Sequence, residues 1–217
     1  MEGVALESSK QEKDLGVLID DNLKPKAQCA KAQCAKAATK ANMILGQLMR
    51  GCTWRDPANL TKLYKVYVRP HLEYAQSSWS PWLQGDITTL EQVQHRFTRM
   101  VSGMGNLTYE ERLAKLGLTT LQDRSVRGDM IETYKILTEK VDVNPDTWFT
   151  PIGSREGAAS TRASDGHLNL ARKVATSEVR KNQFSVRVVP VWNALPDGVK
   201  TQESLNCFKN AYDDYMS

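Results

Sequence analysis

The sequence predicts a mainly α protein: a helical bundle preceded by a short N-terminal β strand or hairpin and followed by a smaller C-terminal helical extension. Three observations point there. Apolar residues recur at helical spacing in several separate windows, capping signals stand ahead of those windows, and a single segment near the N-terminus reads as a strand.

That segment is KDLGVLIDDNL, residues 13–23, in which Leu15, Val17, Leu18 and Ile19 surround a glycine and the run ends in Asp and Asn. It reads as one short strand leaving a turn, or half of a hairpin, with Asp20 and Asp21 as turn residues. Residues 25–50 are rich in Ala, Lys, Gln, Leu and Met, with Pro25 at the first turn and Gly51 as a stop, which predicts a helix. Asp56 and Pro57 supply an N-cap and a first-turn proline. Behind them Leu60, Leu63, Tyr64, Tyr67 and Val68 fall on one helical face. Pro70 must kink or end this helix, leaving residues 71–79 to continue at an angle.

Asp86 is the expected cap of the next helix, whose stripe is Ile87, Leu90, Val93, Phe97 and Met100 and whose stop is Gly103 with Gly105. Thr108 with Glu111, and Thr119 with Gln122, match the capping-box spacing and predict a short helix and then a longer one to about residue 140. Glycines and prolines make residues 141–166 a loop or linker. Beyond it a basic stretch holds Arg162, Arg172, Lys173, Arg180, Lys181 and Arg187, with only Asp165 and Glu178 against them. Phe184, Val188, Trp192 and Leu195 recur at helical offsets, and Leu205, Phe208, Tyr212 and Tyr215 mark a last helix over residues 204–215. The expected organisation is therefore a strand segment at 1–23, a helical domain at 24–140, a linker at 141–166 and a basic helical extension at 167–217.

Composition narrows the function classes. The 217 residues suffice for one large domain or two small ones, and 41% hydrophobic with 25% charged residues is ordinary for a globular protein. Lys and Arg exceed Asp and Glu by 29 to 25, an excess that permits an anionic partner without demanding one. No secretory signal and no apolar run of about 20 residues is present, so the chain is expected to be soluble and intracellular, in nucleus or cytoplasm, with no membrane partner. The four cysteines show no disulfide-scaffold spacing and are expected to be free thiols.

No enzyme is visible in the residues. The repeat AQCAKAQCAKA at 27–37 sets Cys29 and Cys34 five positions apart, which on a helix is about 140° around the axis and about 7.5 Å along it, so they cannot jointly clasp an ion. His71, His95 and His167 are scattered and anchor no catalytic triad or metal site. Tyr212, Asp213 and Asp214 imitate the acidic pair of a two-metal polymerase, but adjacent carboxylates at a helix end do not converge on two ions, and a solvated end is the expectation. No phosphate loop appears. What remains is Lys62, Lys65 and Arg69 on one helix, His95, Arg96 and Arg99 on the next, and the basic stretch carrying Arg172 and Lys173. Such residues can pair with phosphates and recognise a duplex by shape, and charge alone does not separate this from ordinary solvated faces.

The order of these segments carries a resemblance. KDLGVLIDDNL, then A-K-A-x-x-K-A-N-x-x-L-G at 35–46, L-Y-K-x-Y-V-R-P-H-L-E-Y-A at 63–75, W-S-P-W at 79–82, L-E-x-V-Q-x-R at 90–96, Y-E-E-R-L-x-x-L-G-L-T-T-L at 109–121 and F-S-V-R-V-V-x-x-W-N-x-L-P at 184–196 resemble the C-terminal third of non-LTR (LINE-type, jockey-like) retrotransposon reverse transcriptases. The resemblance runs from Lys13 onward. It implies that Leu15 and Gly16 match the primer grip, where a glycine lets a nucleic-acid backbone approach, and that the following helices form a thumb-like domain closing over a template–primer duplex. Arg69 and His71 match positions of the family, while Asp14 stands where many relatives carry an aromatic.

In that family the catalytic palm lies upstream of the grip, so the expectation is a reverse-transcriptase fragment without palm aspartates or endonuclease. It would be no enzyme, hold no cofactor or metal, and bind RNA–DNA or RNA duplex through phosphates. The alternative expectation is a relic or interaction module that recruits a protein or self-associates through a former palm-facing surface built from Val17, Ile19, Tyr67, Tyr74, Trp79 and Trp82. The family resemblance also implies a single A-Q-C-A-K unit in the first helix, making the second a tandem slip that rotates everything N-terminal to it by about 140°.

Overall fold

The computed structural model describes residues 11–20, 27–53, 55–152 and 169–216. The protein is mainly helical, with a two-stranded antiparallel hairpin at its N-terminal end. It divides into two compact units, residues 1–122 and 123–217, each with its own apolar core.

The hairpin pairs β1 (Gln11–Asp14) with β2 (Val17–Asp20) in the register Gln11 to Asp20 and Asp14 to Val17. Leu15 and Gly16 are therefore the two turn residues rather than strand residues, with φ of 44° and 88°. Two successive left-handed residues make the tight turn whose twist suits a hairpin, and this is why the glycine stands where it does. Asp20 ends β2 instead of lying in a turn, and Asp21 falls outside the described residues.

Helix α1 (Ala27–Gly51) contains both AQCAK units without a break. Its buried stripe is Ala30, Gln33, Cys34, Ala37, Ala38, Ala41 and Leu45, and those small side chains let it lie along α5 (Gln84–Met100). Helix α2 (Pro57–Leu63) starts as expected, with the Asp56 carboxylate accepting from Asn59 N–H at 3.0 Å. The kink, however, comes before the proline. Residues Tyr64–Val68 form a π-helical turn closed by Arg69 N–H donating to the Tyr64 carbonyl, and α3 (Arg69–Glu73) carries Pro70 in its first turn. Widening the turn relieves the clash between a proline ring and the carbonyl four residues back. The break comes instead at Ala75, in a left-handed conformation (φ 52°), before α4 (Gln76–Trp79).

Asp86 does not cap α5. The helix begins two residues earlier, and Asp86 is buried inside its first turn. Leu90, Val93 and Phe97 of the expected stripe are core, while Ile87 and Met100 are half-buried. The helix stops at Met100, ahead of the glycines, where Val101 turns extended and buries its side chain. Helix α6 (Tyr109–Leu116) has both halves of the Thr108/Glu111 capping box and ends on Gly117 in the left-handed region, φ 57°. Helix α7 (Leu121–Leu137) starts at Leu121, so Thr120 rather than Thr119 precedes it, and the Leu121 N–H is satisfied by the Glu91 carboxylate at 2.9 Å. A tertiary carboxylate thus does what Gln122 was expected to share.

The division at 122/123 corrects the expected boundary near residue 140. Leu121 belongs to the first core, but Met130, Tyr134 and Ile136 of α7 belong to the second. The second unit continues with α8 (Pro145–Trp148) inside the expected linker, then α9 (Glu178–Lys181), α10 (Phe184–Ala194), α11 (Asp197–Lys200) and α12 (Leu205–Met216). Its core stacks Tyr134 on Phe208 at 4.3 Å, and Trp192 lies 6.0 Å from the same ring. The Asn193 amide grips the Leu170 backbone by both N–H and carbonyl, each at 2.8 Å, much as a neighbouring strand would. Tyr215, expected on the buried stripe, is 49% exposed one turn past the packed part of α12.

Candidate functional site

The candidate residues are spread over several elements of the two units. Leu15 and Gly16 sit at the hairpin tip, where the Leu15 carbonyl accepts from Tyr74 Oη at 2.8 Å and the Gly16 carbonyl from Gln33 Nε2 at 3.5 Å. A Cβ on Gly16 would lie an ordinary 3.7 Å from the Tyr74 ring, so the glycine is required by its φ rather than by a close approach. Lys62 is exposed on α2, whereas Lys65 donates to the Gly117 carbonyl at 3.2 Å. Arg69 is half-buried against Glu73 at 3.4 Å, with His71 half-buried on the same helix. Arg172 and Lys173 belong to the second unit, and Lys173 donates to the Trp148 carbonyl at 2.7 Å.

Arg96 and Arg99 are brought together with a residue the sequence did not single out. They line a groove of about 830 Å³ in the first unit with Arg55, which reaches it from the segment between α1 and α2. Ser102 N–H donates to the Arg55 carbonyl at 3.2 Å, holding that segment at the C-terminal end of α5. Arg96 contacts Asn42 Oδ1 at 3.4 Å. Among the described residues the side chains of Arg55, Lys62, Arg99 and Arg172 make no hydrogen bond or ion pair. Arg99 lies in the last turn of α5, where a cation also suits the helix dipole.

One wall of the groove is a polar network that fixes α6 against α5. Gln94, fully buried, receives a hydrogen bond from Tyr64 Oη at 3.0 Å, and its amide nitrogen donates to Tyr109 Oη and to the Thr119 carbonyl, both at 3.0 Å. Tyr109 in turn donates to Glu91, and burial with that carboxylate raises the phenol's pKa. The His95 ring stacks on Tyr109 at 3.5 Å and its Nδ1 faces Arg112 Nη2 at 3.4 Å. Since a guanidinium only donates, Nδ1 accepts and the proton of the neutral ring is on Nε2. Burial lowers the His95 pKa, and Arg112 and Arg99 lower it further. Arg112 is itself buried, with Thr98 Oγ1 at 3.0 Å and the Leu107 carbonyl at 2.6 Å as acceptors.

No protein-family model, no curated protein and no solved structure matches the chain. The geometry therefore stands on its own. The groove offers three guanidinium groups, three glutamine amides and two half-buried apolar side chains, Ile87 and Met100. It can hold anions and hydrogen-bonding planar groups, beside the Glu91 carboxylate that accepts from Tyr109 on its wall.

Other candidate chemistry is used structurally. Asp213 and Asp214 are both exposed near the end of α12, as a solvated helix end requires, and Asp213 also makes a bidentate pair with Arg127, at 2.5 and 2.7 Å. Arg187, counted in the basic stretch, is in a bidentate pair with Asp129 at 2.9 and 3.0 Å, with side chains only 17% and 8% exposed. The Cys34 thiol is buried and its pKa is pushed up to about 12, mainly by desolvation, so it is inert packing. Cys34, Cys52 and Cys207 are free thiols, and among the described residues no cluster of His, Cys, Asp or Glu could hold a metal ion. Nor is any described helix long and apolar enough to cross a membrane.

The expected apolar surface is only partly such. Tyr67 and Tyr74 are more than half exposed, but Trp79 is 3% exposed because its Nε1 donates to the Tyr74 carbonyl and its rings join the core. Val17 is also half-buried against that core, Trp82 is half-buried, and the side chain of Ile19 lies outside the described residues.

Proposed function

We propose that this chain is an intracellular, non-catalytic nucleic-acid-binding module derived from a non-LTR retroelement reverse transcriptase, which holds an RNA–DNA or RNA duplex by its phosphates without reading sequence. One observation carries the reading: Arg55, Lys62 and Arg99 of the first unit carry charges that no protein group neutralises among the described residues. Lys65 and Arg69, by contrast, are engaged within the fold and add little. The motif order from Lys13 to Pro196 supports the retroelement origin.

Fluorescence anisotropy of the full chain with a short labelled RNA–DNA hybrid tests the proposal. Binding should weaken as salt rises, log K falling against log salt by about 0.9 for each phosphate engaged. Lys62→Ala should lower that slope by about one and weaken all sequences alike. Absence of binding at low salt would overturn the reading. The alternative, a protein-interaction module, is favoured by Val66, Tyr67 and Tyr74, which are 62%, 56% and 55% exposed in one stretch of chain. It gains if the hybrid fails to bind and light scattering shows a concentration-dependent dimer that Tyr67→Ser abolishes.

A further inference from the structure

The groove beside α5 is more than a basic patch, because its chemistry changes along its length. Its lining follows one face of the helix from Gln84 to Met100, a path of about 24 Å at about 1.5 Å per residue. The first half presents Thr88 and the amides of Gln84 and Gln92, and the second half presents Arg96 and Arg99 with Arg55 opposite. The side chain of Gln92, like those of Arg55 and Arg99, makes no hydrogen bond among the described residues. Between the two halves stands the Tyr109–His95 ring pair, locked flat by Glu91, Gln94 and Arg112.

Two occupants fit poorly. A duplex turns its phosphates outward and its base edges inward, so it could meet the arginines and the amides but would leave the half-buried Ile87 with nothing to contact. An amphipathic acidic helix needs apolar anchors every three to four residues. The groove offers only Ile87 and Met100 as aliphatic side chains, thirteen positions apart.

We propose that the groove binds a single-stranded segment of nucleic acid, its phosphates against Arg55, Arg96 and Arg99 and one unpaired base lodged between Ile87 and the Tyr109–His95 pair, where the Gln92 amide meets its edge. This rests on the nucleic-acid reading above and deepens it: of the three unneutralised cations, Arg55 and Arg99 serve a single strand in the groove, and Lys62, outside it, is left for a duplex. Stacking and backbone charge supply affinity without sequence, while one amide supplies a modest base preference.

Anisotropy with the full chain and three labelled probes decides the matter: an adenine-containing single strand, the same strand with an abasic site, and a blunt RNA–DNA hybrid. The single strand should bind with a salt slope that falls by about 1.4 in Arg96→Ala/Arg99→Ala, two phosphates at about 0.7 each, while hybrid binding persists. The intact strand should bind more tightly than the abasic one, and Gln92→Leu should reduce that preference by roughly tenfold or less, the stacking share persisting. Both variants change exposed side chains, and an unchanged thermal melt confirms that they fold. If the hybrid binds and the single strand does not, or if Arg96→Ala/Arg99→Ala leaves single-strand binding intact, the groove assignment is wrong and the wider reading survives. Failure of both probes overturns both. Equal binding of intact and abasic strands, or full displacement by polyglutamate at matched charge, reduces the groove to an anion patch and overturns the proposal.

Discussion

Protonating His95 would set an imidazolium against the buried guanidinium of Arg112 and remove the acceptor that Arg112 Nη2 now faces at 3.4 Å. Burial and these cations lower the pKa of the folded-state ring, so the native protein holds this proton less tightly than the unfolded chain does. The stability linked to His95 is therefore complete above the unfolded value of about 6.5 and is lost as pH falls below it toward the lower folded one. His95→Gln keeps an acceptor for Arg112 without the titration. Melting temperature measured across that window should fall with pH more steeply in the natural chain than in the variant; parallel curves would show that the ring does not titrate in this way.

At the scale of elements, α1 decides what the AQCAK repeat means. The helix is continuous through both units, and the second unit supplies buried Gln33 and Cys34, including the Gln33 hydrogen bond to the hairpin turn. Deleting residues 27–31 leaves Gln33 and Cys34 in place and takes from the buried stripe only the small side chain of Ala30. Chemical denaturation should then show stability within about 1 kcal/mol of the natural chain or better, a change on the scale of surface substitutions rather than of a core cavity. If the duplication displaced the hairpin from a bound duplex, the deletion should also tighten hybrid binding. Lower stability with unchanged affinity would mean that the repeat is an integral part of this fold. The π-helical turn before Pro70 teaches a related lesson, since the proline's steric demand was visible and the way the chain relieves it was not.

For the whole molecule, the two cores are the governing fact, and the second depends on a charge pair as well as on aromatics. Arg187 and Asp129 join α10 to α7 while largely shielded from water. Removing one partner of such a pair typically costs about 3–5 kcal/mol, because the other charge stays buried alone. Arg187→Ala should accordingly lower stability by about that much in urea titration, and Asp129→Ala/Arg187→Ala should recover part of the loss. Equal losses in the single and double variants would place the energy in lost packing instead. The same pair removes Arg187 from the charges available to an anionic partner.

Helix existence was legible along most of the chain because it depends on local terms: propensity, the Asp56 cap, the Thr108/Glu111 box and stripes such as Leu90, Val93 and Phe97. The mainly helical class follows from those alone. Boundaries went astray where a distant group took over a local role, as Glu91 does for the start of α7, or where a signal had two local uses, as Gly16 does in a turn rather than a strand. Which cations face solvent was not legible at all. Lys65, Arg69, Arg112, Arg127 and Arg187 look no different in sequence from Arg55 and Arg99, yet acceptors far along the chain or one turn away engage the first group. Charge is a property of the residue and neutralisation is a property of its neighbours, and most of those neighbours are brought near only by folding.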